Sequence, residues 1–332
     1  MKRILTLFLT LALILSLAAC AAPGEKADDG RLQIVATLFP YYDFARAIAG
    51  DRADVTLLLS PGREAHSFEP TPLDAVTISE ADVFLYNGGE GEYWVEEMLD
   101  AAGEHIAVKA RMMDYVDALG EEFSEGMQGA DEHGHDHDHD DHDHDHEEDE
   151  HDSDEIEYDE HIWTSPKNAA ILCRAVCEAI CKADPANEDF YRANCDDYCA
   201  QIEALDARFA DLCESAPRKL LIFADRFPML YFCREYGLDY RAAFHGCSGD
   251  TEPSLATIKF LIDKVEDENI PVVYTIDFGT KKVAAVVSEC TGAAIETIYS
   301  MQTVSRTDFD AGETYLTLME RNFEALRKGL NE

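Results

Sequence analysis

Two histidines that stand apart from any histidine-rich run are the residues best suited to grip a single cation. His66 lies in Ser60-Pro61-Gly62-Arg63-Glu64-Ala65-His66-Ser67-Phe68-Glu69-Pro70, directly after the apolar run Val55–Leu59, which reads as a strand. His161 lies in Asp159-Glu160-His161-Ile162-Trp163-Thr164-Ser165-Pro166, where a long acidic stretch gives way to a helical pattern. Neutral imidazole is a common ligand for zinc and its neighbours. In parallel α/β sheets, the loops after the strands' carboxyl ends hold the ligand. Read singly, each is equally compatible with an ordinary loop histidine.

A second histidine feature has a different character. His133, His135, His137, His139, His142, His144, His146 and His151 nearly all alternate with Asp or Glu, with almost nothing apolar among them. Such a stretch cannot bury enough surface to fold, which predicts a disordered loop over about 121–158. Imidazoles on a flexible chain bind borderline metals weakly and in several arrangements. The loop would raise the local metal concentration or pass ions onward, and the bland alternative is a solvating linker.

The elements that must position these residues alternate. Strand patterns at Leu32–Thr37, Val55–Leu59, Val83–Tyr86 and Ile106–Val108 are interleaved with helical patterns at Tyr41–Ala49, Thr71–Ser79 and Tyr93–Ala102. After the acidic stretch come a helix at Lys167–Lys182 and a longer one at about Asn187–Cys213. The apolar stripe of the longer helix runs Tyr191, Cys195, Tyr198, Ile202, Leu205, Phe209, Leu212. At 1.5 Å per residue it is roughly 40 Å long, enough to run along two domains as a spine. A second series follows, with strands at Leu220–Phe223 and Val272–Ile276 and helices at Met229–Tyr236, Ser254–Asp267, Lys281–Thr291 and Thr314–Leu330. The fold class is therefore α/β: two lobes with parallel sheets, bridged by one long helix.

The boundaries follow from composition. Lys2 and Arg3 precede an apolar run, Ile4–Leu17, ending in Leu17-Ala18-Ala19-Cys20. This reads as a signal peptide over 1–19 with lipidation at Cys20 and a flexible tether over 20–30. The N-terminal lobe is assigned to 31–165, a helical linker to 166–214 and the C-terminal lobe to 215–332. The membrane is reached only through the anchor, on the outer face of the cytoplasmic membrane. The 332 residues carry a net charge of −41, which repels nucleic acid. No HExxH, no serine nucleophile elbow and no glycine-rich phosphate loop is found, so an enzyme is not expected. Nine cysteines remain after Cys20. An odd number argues against a fully paired disulfide framework. Cys173, Cys177 and Cys181, like Cys195 and Cys199, recur every four residues on helices. Core packing is the favoured reading, with disulfides or a second thiolate metal site left open.

The two isolated-histidine segments resemble those of the ZnuA-like solute-binding lipoproteins of zinc and manganese ABC importers. Gly62, His66, Glu69 and Pro70 match one family segment, and Asp159, His161, Trp163 and Pro166 match the next. Phe39-Pro40, Asp184-Pro185, Tyr236-Gly237-Leu238 and Glu252-Pro253-Ser254 agree as well, so the resemblance spans roughly residues 31–330. It implies a metal held in the cleft between the lobes, with two ligands from each. His66 and His161 supply the first pair. For the third ligand the family's position falls on Arg226, which cannot bind a cation. Asp225 beside it is favoured, and His245 is the competitor. Asp277, after the later strand, is the fourth. The resemblance further implies zinc as cargo, with manganese tolerated, a monomer, and an importer permease and its ATPase as partners. The alternative function is that of a surface adhesin or metal-buffering lipoprotein.

Overall fold

The computed structural model describes residues 30–63, 68–128, 157–246 and 252–331. Cys20, His66 and the eight histidines from His133 to His151 lie outside the described residues. By its contacts the chain divides into Met1–Arg31 and Leu32–Glu332, and the architecture below is that of the second part.

The first sheet is built from β1 (Leu32–Ala36), β2 (Ala53–Leu57), β3 (Val83–Tyr86) and β4 (Val108–Arg111). All its pairings are parallel, in the order β2-β1-β3-β4. The second sheet holds β5 (Leu220–Phe227), β6 (Asp239–His245), β7 (Val272–Ile276) and β8 (Ala294–Ile298). It is also parallel, in the order β6-β5-β7-β8. Each order reverses direction once, between β1 and β3 and between β5 and β7, and such switch points leave a crevice at the strands' carboxyl ends. Asp225 and Asp277 flank the second crevice. Thr37 and Asn87 flank the first.

The helices of the first lobe are α1 (Phe39–Ala49), α2 (Pro72–Ser79) and α3 (Trp94–Ala102). Thr71 and Asp74 form a reciprocal capping box at the start of α2, followed by a proline in the first turn. Then come α4 (Pro166–Ala183) and the 28-residue α5 (Glu188–Ser215). The second lobe carries α6 (Leu230–Tyr236), α7 (Leu255–Asp267), α8 (Lys282–Thr291), α9 (Arg306–Ala311) and α10 (Tyr315–Asn331). Among the described residues no helix is long and apolar enough to cross a membrane.

Helix α5 does lie along both lobes. Near its start the Tyr198 hydroxyl donates to Asp43 of α1 at 2.5 Å, and Asn194 donates to the Ile48 carbonyl at 2.9 Å. Near its end Phe209 meets Phe232, Tyr236 and Phe323 of the second lobe. A contiguous apolar core joins the first sheet, α4, α5 and the inner face of the second sheet. A separate, smaller cluster lies on the other face of the second sheet, where Ile222, Val273, Leu261 and Val287 meet beneath α7 and α8.

The expected boundary of the disordered loop needs correction. Glu121–Gln128 pack instead against the second lobe, because Met127 is buried and the Gln128 amide donates to the Ala243 carbonyl at 3.0 Å. The two ends of the acidic stretch are also clamped together. Gly120 and Tyr158 form an antiparallel bridge, Glu121 N donates to Glu157 O at 2.8 Å, and Asp159 N donates to Leu119 O at 2.9 Å. Tyr231 of α6 secures the clamp from the second lobe: its hydroxyl accepts from Leu119 N and donates to Asp159 O.

Candidate metal centre

His161 closes the clamp and opens a single tight turn, Ile162–Thr164. Its side chain is only 2% exposed. The carboxylate of Asp159 accepts from the His161 backbone at 2.8 Å and lies 3.2 Å from Nδ1. A carboxylate behind a histidine ring is how proteins orient an imidazole as a metal ligand. Burial alone would push the imidazole's pKa down. Asp159, followed by Glu160 and Glu121, outweighs it and holds the pKa above the ordinary value.

Trp163, fully buried, links this turn to the second lobe by donating Nε1–H to the Ser300 carbonyl at 2.8 Å. The Ser300 amide in turn donates to Asp277 Oδ1 at 3.2 Å. Asp277 itself follows β7, and its amide donates to the Ile298 carbonyl. Burial pushes the Asp277 carboxyl up to about 6. The segment from Ser300 to Val304 also reaches the first lobe, since Phe39 N donates to Gln302 O and Gly62 N to Val304 O. It carries Met301, buried with φ at 61°, a left-handed conformation that only firm packing imposes on a side chain of this size.

The remaining candidates lie at neighbouring strand ends. Asp225 sits where the register of β5 against β6 shifts between Phe223 and Arg226. Its Oδ2 accepts from the Thr275 hydroxyl at 2.6 Å and from Ile276 N at 3.3 Å, while Oδ1 accepts from Arg226 N at 2.9 Å. Gly279 is needed there, because a β-carbon would stand 1.8 Å from Asp225 Oδ2. This is the geometry of a staple between β5 and β7. His245 ends β6 with Nδ1 2.6 Å from Glu121 Oε2 and its ring against Phe123. Next to it, Gly246 presses on His161: a β-carbon there would lie 3.1 Å from Cε1 and Nδ1 of that ring.

The described donors thus surround one region without closing on one point. Among the described residues, the only set of three or more His, Cys, Asp or Glu donor atoms within 4.8 Å of one another is a trio of buried cysteines between α4 and α5. His161 and Asp277 are joined through Trp163 and Ser300, and His161 touches the glycine after His245. Asp225 is turned toward Thr275.

Two acids that the sequence did not single out line the first lobe's side of this region. Glu92 and Glu160 border a cavity of about 20 Å³ with Thr37, Phe68, Trp94 and Gln302, room for roughly one water-sized occupant. Glu92 Oε2 accepts from Gly88 N at 2.8 Å, and Glu160 Oε1 accepts from Gly91 N at 2.7 Å. Burial raises Glu92 to about 7, and raises Glu160 as well. The usable signal was the glycine-rich Asn87-Gly88-Gly89 turn after β3, whose free amides invite a carboxylate.

Residues 34–329 match the family described as zinc-uptake complex component A, periplasmic. The chain belongs to that family. The zinc-uptake protein ZnuA of Bacillus subtilis is 32% identical over 98% of this chain and 97% of its own length. The zinc-binding lipoprotein AdcA of Streptococcus pneumoniae is 29% identical over 99% of this chain, which spans 61% of that longer protein. The crystal structure of the Zn(II)-bound ZnuA-like domain of that AdcA superposes with a TM-score of 0.71 at 26% identity, covering 91% of this chain and all of the domain. The fold is therefore the two-lobed α/β fold of the zinc-uptake family.

Proposed function

We propose that this chain captures a zinc ion outside the cytoplasm and delivers it to an ABC importer, acting as a binding protein and not as an enzyme. The observation that carries the reading is His161, a buried imidazole aimed by the Asp159 carboxylate at the junction of the two lobes. A carboxylate placed behind an imidazole in this way is the usual support of a metal-ligating histidine. Lipidation at Cys20 would hold the protein as a monomer on the outer face of the membrane, within reach of a permease and its ATPase.

In this reading His66, His161 and Asp277 are ligands, with Asp225 completing the set and His245 as the rival. Imidazole and carboxylate together suit tetrahedral Zn²⁺ and tolerate Mn²⁺. Asp225 would have to loosen its hold on Thr275, whereas His245 would have to exchange Glu121 for the ion. The histidines from His133 to His151 would gather ions near the cleft.

Calorimetric titration with zinc tests the assignment. His161→Ala should weaken the tight site by about a thousandfold or more, roughly 4 kcal/mol, with an unchanged circular dichroism spectrum. An affinity within threefold of the parent would overturn it. Of Asp225→Asn and His245→Ala, the variant with the larger loss identifies the third ligand.

A further inference from the structure

The α4–α5 hairpin carries five cysteines on its facing sides: Cys173, Cys177 and Cys181 on α4, Cys195 and Cys199 on α5. All five are buried, none more than 5% exposed. The sulfurs of Cys173, Cys195 and Cys199 lie within 4.8 Å of one another. Cys195 and Cys199 are 3.8 Å apart at sulfur, and Cys177 and Cys181 are 3.9 Å apart. The Cys195 thiol also donates to the Cys173 carbonyl at 3.9 Å, and the Cys199 thiol to the Ala170 carbonyl at 3.7 Å.

The trio is close enough to share one ion. Sulfurs at about 2.3 Å from a tetrahedral Zn²⁺ stand about 3.8 Å from each other, as Cys195 and Cys199 do. A disulfide accounts for these spacings poorly. Side chains four apart on a helix hold their β-carbons about 5–6 Å apart, while a disulfide needs about 3.5–4.5 Å. Cys195 with Cys199, and Cys177 with Cys181, therefore cannot bond without breaking the helix. Only a cross-helix pair could form, and it would leave the other converging thiols unused.

We propose that Cys173, Cys195 and Cys199 form a second metal site, a three-thiolate site for one zinc-class d10 divalent ion that pins α4 to α5. The site is separate from the cleft and its ion is structural, not cargo. Binding releases the thiol protons to solvent and involves no change of oxidation state. Since the sulfurs are buried, the ion enters as the hairpin folds.

The test uses the full chain carrying His161→Ala, so that cleft binding is suppressed. The protein is reduced with a phosphine, unfolded, and refolded with a slight excess of Co²⁺. Expected is one retained equivalent with an intense thiolate-to-cobalt charge-transfer band, lost when Cys195→Ser or Cys199→Ser is added. Absence of that band, or its survival in both serine variants, overturns the site. Should the serine variants fail to fold, zinc-edge X-ray absorption on the His161→Ala protein refolded with one equivalent of Zn²⁺ decides. A first shell dominated by sulfur supports the site, and a shell of nitrogen and oxygen alone refutes it. A Cys173–Cys195 or Cys173–Cys199 disulfide in peptide maps of the unreduced protein also refutes it.

Discussion

The two sheets have the same strand order yet are packed differently. The first sheet, with α4 and α5, belongs to a core that continues across α5 into the inner face of the second sheet. The outer face of the second sheet has only its own small cluster under α7 and α8, and both helices leave apolar side chains in solvent, Leu255 at 85% and Val286 at 42% exposure. The lobes are thus not two independent bodies on a hinge. They share an interior, and the outer layer of the second lobe is the part most able to loosen alone.

The sharpest way to break this picture is Phe209→Ala. The ring is fully buried among Phe232, Tyr236 and Phe323. Its loss should cost about 3–5 kcal/mol and lower a single cooperative melting transition. Two separated transitions in calorimetry would show that the lobes unfold independently.

On the first lobe's side, Asp159→Asn should weaken zinc binding about 10- to 100-fold at neutral pH and move its pH dependence. The raised pKa of His161 means that protons compete with the ion from above the usual imidazole range downward. Affinity is full well above that raised value and declines as pH falls through it, and protonation of Asp277 near 6 steepens the decline. Removing the Asp159 charge lowers the imidazole pKa, so the decline should begin at lower pH. Calorimetry across a pH series checks the sign.

In the outer layer, Val287→Ala should cost only about 1–2 kcal/mol. Hydrogen exchange should quicken in α8 while α5 keeps its protection, and equal acceleration in both would erase the distinction between the layers. The smallest effect is expected from Gly246→Ala. A methyl there would stand 2.9 Å from the Phe227 carbonyl oxygen and 3.1 Å from the His161 ring, so backbone and imidazole should both shift slightly and zinc affinity fall by about tenfold or less, roughly 1 kcal/mol.

The buried strands were legible because parallel strands covered on both faces are apolar runs, as in Val83–Tyr86 and Val272–Ile276. β6 and β8 escaped notice for the converse reason. β6 is interrupted by Arg241, and β8 is an edge strand whose Ala294 and Ile295 are exposed. His161 stood out by its motif, and the structure adds the Asp159 carboxylate behind it. The position of Asp225 at the crevice was not legible, because a change of register inside β5 alters which residue meets the crevice, and no periodicity in the sequence announces it. Glu92 and Glu160 were not singled out from the sequence, and the fold shows them buried against turn amides.

The stapled ends of the acidic stretch have a consequence for how this chain can vary. Gly120 and Tyr158 meet where the described ends of the acidic stretch come together, held by a tyrosine of the other lobe. Lengthening a closed loop is cheap, about 0.6 kcal/mol for each doubling. Residues inserted between the two ends should therefore leave the clasp beside His161 fastened.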